Sequence, residues 1–215
     1  MNEWNFEELN KLCQQKNIPE SIVYQKSLEW RWRRADFHAE KAKEIWAELF
    51  SKPVITQDSR FNEAVFSYEA HVEACIQSLH SMADMLAQII NVVILKNQFM
   101  EDGVYFKTLI GEMEKNGIAP LVTNYMKKLL NHEVFQYIDA FCNTIKHRRL
   151  INSKFRAEYG KDYRNESGIK FLQFNYKSKT YPETWGNDIL EQYRFQMREL
   201  VTEVGLNINK FASEN

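Results

Sequence analysis

Apolar residues recur at helical spacing along most of the chain. Phe61, Val65, Val72, Ile76, Leu79, Ala83, Leu86, Ile90 and Val93 fall on one side of a helical wheel turning about 100° per residue. A stripe sustained this far predicts a long amphipathic helix that must pack on a partner. Asp58 or Ser59 caps its start, and no breaker follows until Asp102-Gly103. About forty residues is long for one helix, so a kink is expected within it.

The same reading places a short helix over residues 5–16. A second runs from Pro19-Glu20-Ser21 to Phe50, where Ser51-Lys52-Pro53 ends it. Gly111, Gly117 and Pro120 mark the next break, and helices over 121–131 and 133–148 follow.

The period then changes. LINSKFRAEY and IKFLQFNYKSKTY are rich in aromatic and β-branched residues, with GKDYRNESG between them as a turn-rich loop. This predicts a β-hairpin over about 150–180, closed by Pro182. A last helix covers 184–212. No repeat, low-complexity tract or linker divides residues 1–215. The expectation is one mainly α domain: a helical bundle of long antiparallel helices with one β-hairpin before the C-terminal helix.

Composition narrows the function. A net charge of −1 gives no global pull toward nucleic acid or anionic membrane, so any electrostatic footprint must be local. Only 7 Gly and 4 Pro fit long helices better than a many-turned β fold. Cys13, Cys75 and Cys142 are too widely spaced for a zinc knuckle and odd in number for a disulfide framework. Reduced thiols in a cytoplasmic protein are expected. The acidic, polar start MNEWNFEELNKL does not read as a signal peptide, and the apolar run VVIL is too short for a membrane span.

The segment FCNTIKHRRLI, residues 141–151, carries the most chemistry. On a wheel of 134–149, Val134, Ile138, Phe141 and Ile145 cluster on one side. Asp139, Asn143 and His147 line the opposite side, each four residues from the last, with Lys146 flanking them. His147 therefore belongs to a polar ridge. An imidazole can take and give a proton near neutral pH. An amide one turn earlier can orient the ring or hold a phosphate oxygen, and Arg148 and Arg149 can stabilise charge developing on a phosphorane. These are ingredients for metal-independent RNA cleavage, with the ribose hydroxyl as nucleophile. The plainer reading is a solvated helix face.

These residues resemble the HEPN superfamily (higher eukaryotes and prokaryotes nucleotide-binding) of small helical bundles. Many of its members carry an Arg, then a polar residue such as Asn, then a His a few residues on. Asn143 and His147 match that pattern, and Cys142 stands where the Arg would be. The resemblance covers this motif and the all-helical layout. It implies a homodimer whose paired motifs face a shared cleft, an RNA or nucleotide ligand, and a place in toxin–antitoxin or phage-defence systems beside an antitoxin-like protein partner. Asn143 and His147 would be catalytic, and Asp139, Lys146, Arg148 and Arg149 would bind substrate. With Cys142 in place of Arg, a degenerate binding member is an equal expectation.

Other constellations compete. Glu69, Glu73, His80 and Asp84 lie within roughly 60° on the wheel of the long helix. Such a stripe could hold a divalent metal, as in helical nucleotide pyrophosphohydrolases, or simply edge the helix. LEWRWRRADFH mixes Trp30 and Trp32 with arginines, but the two rings point roughly 200° apart, so packing is favoured over a base-stacking platform. Trp30 and Arg34, one turn apart, could form a cation–π pair. Arg156, Lys161, Arg164, Lys170, Lys177 and Lys179 make the hairpin region basic, diluted by Glu158, Asp162 and Glu166. Nucleotide fingerprints and nucleophile elbows are absent, and no cofactor is expected. A non-enzymatic helical interaction protein is the third reading.

Overall fold

The computed structural model describes residues 4–50, 59–159 and 165–214. In chain order the elements are α1 (Phe6–Gln15), α2 (Ser21–Phe50), α3 (Ser59–Val93), α4 (Phe106–Lys115), α5 (Pro120–Asn131) and α6 (Glu133–His147). Five strands follow: β1 (Ser153–Tyr159), β2 (Asn165–Phe171), β3 (Phe174–Tyr176), β4 (Lys179–Tyr181) and β5 (Thr184–Trp185). The chain ends in α7 (Gly186–Asp188), a π-helical turn (Ile189–Tyr193) and α8 (Arg194–Glu214). The fold is mainly α, as the periodicity predicts. Among the described residues no helix is long and apolar enough to cross a membrane.

Contacts divide the chain into two compact units. One contains Met1–Arg33, Leu79–Gln136 and Gln196–Asn215; the other contains Arg34–Ser78 and Tyr137–Phe195.

In the first unit α1 is fixed to α8 through Asn209. Its side chain accepts from Trp4 Nε1 at 2.9 Å and donates to the Asn5 carbonyl at 2.9 Å and to Glu8 Oε2 at 3.0 Å. Asn5 in turn caps α1 by accepting from the Glu8 amide at 3.0 Å. The Trp4 indole lies on Gly205, where a Cβ would come within 2.0 Å of the ring. The helix ends at Asn17 in the left-handed region, with the Ile18 amide donating back to the Cys13 carbonyl at 2.8 Å.

The end of α3 differs from the sequence expectation: the helix stops at Val93, nine residues before Asp102. Asn91 is the reason. Its amide donates to the Phe99 carbonyl at 2.9 Å and its Oδ1 accepts from the Phe99 amide at 3.1 Å. Gln88 donates to the Glu101 carbonyl at 2.9 Å. These side chains satisfy a loop that would otherwise leave backbone groups unpaired. Lys96 and Asn97 turn it with φ of 54° and 59°. The stripe itself is in place: of the nine residues named, only Val65 is not buried.

Gly111 does not break the chain; it sits inside α4, whose buried Phe106, Leu109, Ile110 and Met113 carry helical spacing. Gly117, with φ of 63°, does end that helix, and Pro120 starts α5.

The second unit holds the strands. β1 and β2 pair antiparallel from Ser153↔Phe171 to Tyr159↔Asn165, so the expected hairpin is present, but β2 begins at Asn165, and Asn165–Gly168 belong to the strand rather than to the expected loop because they complete the ladder opposite Arg156–Tyr159. The segment after Phe171 does not continue it. β3 and β4 form a separate two-stranded ribbon turning at Lys177, whose φ is 54°. β5 adds to β2 through Lys170↔Trp185 and Phe171↔Thr184, so Thr184 and Trp185 belong to a sheet and not to the last helix. Lys161, Asp162 and Arg164 lie outside the described residues. Tyr68 anchors the α7 turn by donating to Asn187 Oδ1 at 2.8 Å, and it covers Gly186 so closely that a Cβ there would be 2.6 Å from its hydroxyl.

Candidate nucleic-acid interface

The second unit presents the C-terminal half of α6 beside the β3–β4 ribbon. Aromatic packing sets that placement. Tyr137 meets Phe174 and Tyr181 edge-on, with ring centroids 5.5 and 6.2 Å apart, and Phe141 meets Phe171 and Phe174 at 5.3 and 5.9 Å. Phe174 stacks on Tyr181 at 5.3 Å. Tyr137, Phe141, Phe174 and Tyr181 are buried. Such pairs add about 0.5–1.5 kcal/mol each beyond their burial.

The polar ridge is graded along the helix. Asp139 and Asn143 are half-buried, and Lys146, His147, Arg148 and Arg149 are exposed. Asn143 Nδ2 donates to the Asp139 carbonyl at 2.8 Å and to Asp139 Oδ1 at 2.9 Å. Both amide hydrogens are thus used, and only the Asn143 carbonyl oxygen is left to accept. The cations close the helix as well as decorating it: the Arg148 and Arg149 amides both donate to the Thr144 carbonyl, at 2.9 and 3.1 Å. Positive charge in a last turn also favours the helix dipole.

Arg148 then reaches the ribbon. Its guanidinium carbon lies 5.1 Å from the centroid of Tyr176, and Lys177 Nζ lies 5.1 Å from the same ring. Lys179 Nζ lies 5.1 Å from the Tyr181 ring. A half-exposed tyrosine flanked by two cations therefore stands beside the exposed run Lys146–Arg149. Lys170, part of the basic stretch in sequence, is not available to a partner. It is buried, bridges to Glu183 at 2.8 Å and lies 4.7 Å from the Trp185 ring centroid. Its ammonium holds the Glu183 carboxyl below the usual range.

Cys142 is fully buried. Burial pushes its thiol up to about 12, only partly offset by Lys146, while Asp139 and Glu73 add to the rise. It cannot supply the positive charge of the Arg that the resemblance places there. The wheel carried this signal, because Cys142 lies close in angle to Ile138 and Ile145.

The stripe on α3 is split. Glu69 accepts a hydrogen bond from the Ser153 hydroxyl, and Glu73 is half-buried, its carboxyl raised by burial and then by Glu69. His80 is half-buried and stacks parallel to Phe135 at 6.4 Å, and Asp84 is exposed. Among the described residues no three of His, Cys, Asp and Glu are grouped so as to hold a metal ion. In the LEWRWRRADFH segment the cation over Trp30 is Arg33, at 5.8 Å, and Trp32 packs against Phe6 and under Arg198.

The family model for HEPN_Cthe2314-like HEPN domains matches residues 26–204, a span that includes α6 and the ribbon. No curated protein and no solved structure matches the chain.

Proposed function

The chain belongs to the HEPN_Cthe2314-like HEPN family, and from that premise we propose that it binds single-stranded RNA along the end of α6 and the β3–β4 ribbon. HEPN-type domains often have RNase or nucleotide-related roles. The observation that carries the reading is the exposed Lys146–Arg149 run beside the cation-flanked Tyr176. Cations that track phosphate next to a ring on which a base can stack are the working parts of a single-strand site.

Cleavage at this site rests on His147. In the reaction His147 takes the proton of a ribose 2′-hydroxyl as its oxygen attacks phosphorus. The bond to the 5′-oxygen then breaks and that oxygen takes up a proton. Arg149 and Lys146 balance the charge on the phosphorane, and Arg148 holds the strand through the ribbon. A second imidazole for the leaving group comes from a second copy of the chain, so pairing of two copies is part of this proposal.

The test uses fluorescence anisotropy with a single-stranded RNA and with its duplex form, at several salt concentrations, alongside a gel assay for cleavage. Tighter binding of the single strand, weakened by salt and by Arg148→Ala with Arg149→Ala, is the expected result. Cleavage by the wild type but not by His147→Ala adds the nuclease step, and light scattering reports the pairing. Salt-independent binding, or binding equal in the double variant, sinks the proposal.

A further inference from the structure

α2 is one continuous helix from Ser21 to Phe50, and a single row of large apolar side chains on it faces solvent. Val23, Trp30 and Phe37 are 60%, 59% and 54% exposed and stand seven residues apart. Seven residues make two turns less about 20°, so the three fall on one slowly winding line with steps of about 10.5 Å. Both rings are held in place by their own surroundings. Arg33 lies over Trp30 at 5.8 Å, and Phe37 stands edge-on to His38 and His71, at 5.2 and 6.4 Å. Apolar groups this exposed and this regular are the mark of a docking surface.

Cations edge the row on both sides: Lys26 and Arg33 on one, Arg34 and Lys41 on the other. Arg33 is bridged to Glu29 at 2.8 Å and Lys41 to Glu44 at 2.5 Å. Both pairs are solvent-exposed, so a partner's carboxylate can replace them at little cost. Lys26 and Arg34 form no ion pair among the described residues. An apolar row repeating every seven residues and edged by charge is one half of a helix pair. We propose that this face of α2 docks an acidic amphipathic helix of another protein, one with apolar residues repeating every seven and Asp or Glu beside them.

The row is one residue wide. Ser27 and Arg34 fill the gaps between its three side chains, so it offers no continuous apolar face to a lipid surface. The knobs of a facing helix meet such a row one at a time. A second copy of the chain fits poorly. With α2 against α2, antiparallel about Trp30, Arg34 of each copy falls opposite Lys26 of the other; in parallel, each cation meets its own counterpart. Charge complementarity therefore selects a partner of opposite sign. The face uses no residue of α6 or of the β3–β4 ribbon, so it is independent of the RNA reading.

Fluorescence anisotropy of the full chain with two labelled helical peptides tests the proposal. Both peptides carry Leu every seven residues; one has Glu at the flanking positions and the other Lys. The Glu peptide is expected to bind at least about tenfold tighter than the Lys peptide and to weaken as salt rises. Trp30→Ala should weaken it by at least about tenfold. Lys26→Glu with Arg34→Glu should turn the preference toward the Lys peptide. Thermal melts confirm that each variant folds; Trp30→Gln replaces Trp30→Ala if that variant does not. No binding of the Glu peptide, equal binding of both peptides, or unchanged affinity in Trp30→Ala overturns the proposal. Two other occupants would also overturn it. Binding to phosphatidylserine vesicles that is lost in Trp30→Ala, without peptide binding, assigns the face to a lipid surface. A dimer in light scattering that Trp30→Ala dissociates assigns it to a second copy of the chain.

Discussion

Asn143 donates both amide hydrogens to Asp139 one turn earlier, at 2.8 Å to its carbonyl and 2.9 Å to its carboxylate. The side chain is thereby tied down and orients His147 through neither hydrogen. Asn143→Ala should cost about 1 kcal/mol in urea denaturation and leave RNA affinity nearly unchanged. Asn143→Asp, which sets two carboxylates against each other, should cost more than Ala at neutral pH. RNA binding lost in Asn143→Ala with stability intact would instead place Asn143 on the ligand.

Cys142 occupies a core position, its thiol pushed up to about 12 by burial. Alkylation at pH 8 should be slow in the native protein and rapid in urea. Cys142→Arg restores the residue of the family pattern but buries a guanidinium. It should lose about 3 kcal/mol or more in chemical denaturation. An unchanged unfolding midpoint would show that Glu73, close enough to act on the thiol, pairs with the new charge.

Burial first, then His71 and Arg34, lower the pKa of His38 below 6.5. The unfolded chain therefore takes up this proton before the folded one. The His38 contribution is neutral above pH 6.5, turns destabilising as pH falls toward the lowered folded value, and levels off below it. The urea midpoint should drop between pH 7.5 and 5.5 in the wild type. In His38→Gln that part of the drop should vanish; an equal drop would assign the acid sensitivity to other groups.

Two glycines should respond oppositely to the same methyl group. At Gly205 a Cβ would meet the Trp4 indole at 2.0 Å, whereas at Gly111 nothing lies within 4 Å. Gly205→Ala should destabilise by about 3 kcal/mol, through displacement of Trp4 and loss of its bond to Asn209. Gly111→Ala, inside α4, should stabilise by about 0.5–1 kcal/mol. Tryptophan fluorescence during denaturation reads both.

What the sequence reveals follows from how local each signal is. The α3 stripe and the exposure of His147 are properties of a single helix, so a wheel finds them. The end of α3 depends on Asn91 and Gln88 reaching forward to backbone groups at Phe99 and Glu101, which no periodicity records. Gly111 reads as a breaker because propensity is a weak prior, and the four buried residues of α4 override it. His38 and His71 are 33 residues apart on different helices, and only their packing joins them. Tyr176 likewise gains significance only once the ribbon folds onto α6 and Arg148 arrives over its ring.

That ring allows stacking and charge to be separated. Tyr176→Phe keeps a surface for a base and should bind single-stranded RNA as the wild type does. Tyr176→Leu removes the stacking surface and should weaken binding by about 1–3 kcal/mol, with the salt dependence unchanged, because no phosphate contact is lost. Arg149→Gln should do the reverse: a modest loss of affinity with the slope of log K against log salt reduced by about 1. Anisotropy titrations at four salt concentrations distinguish the two. If Tyr176→Leu flattens the salt slope as Arg149→Gln does, the tyrosine acts only by holding Arg148 and Lys177 in place, and the strand is gripped by charge alone.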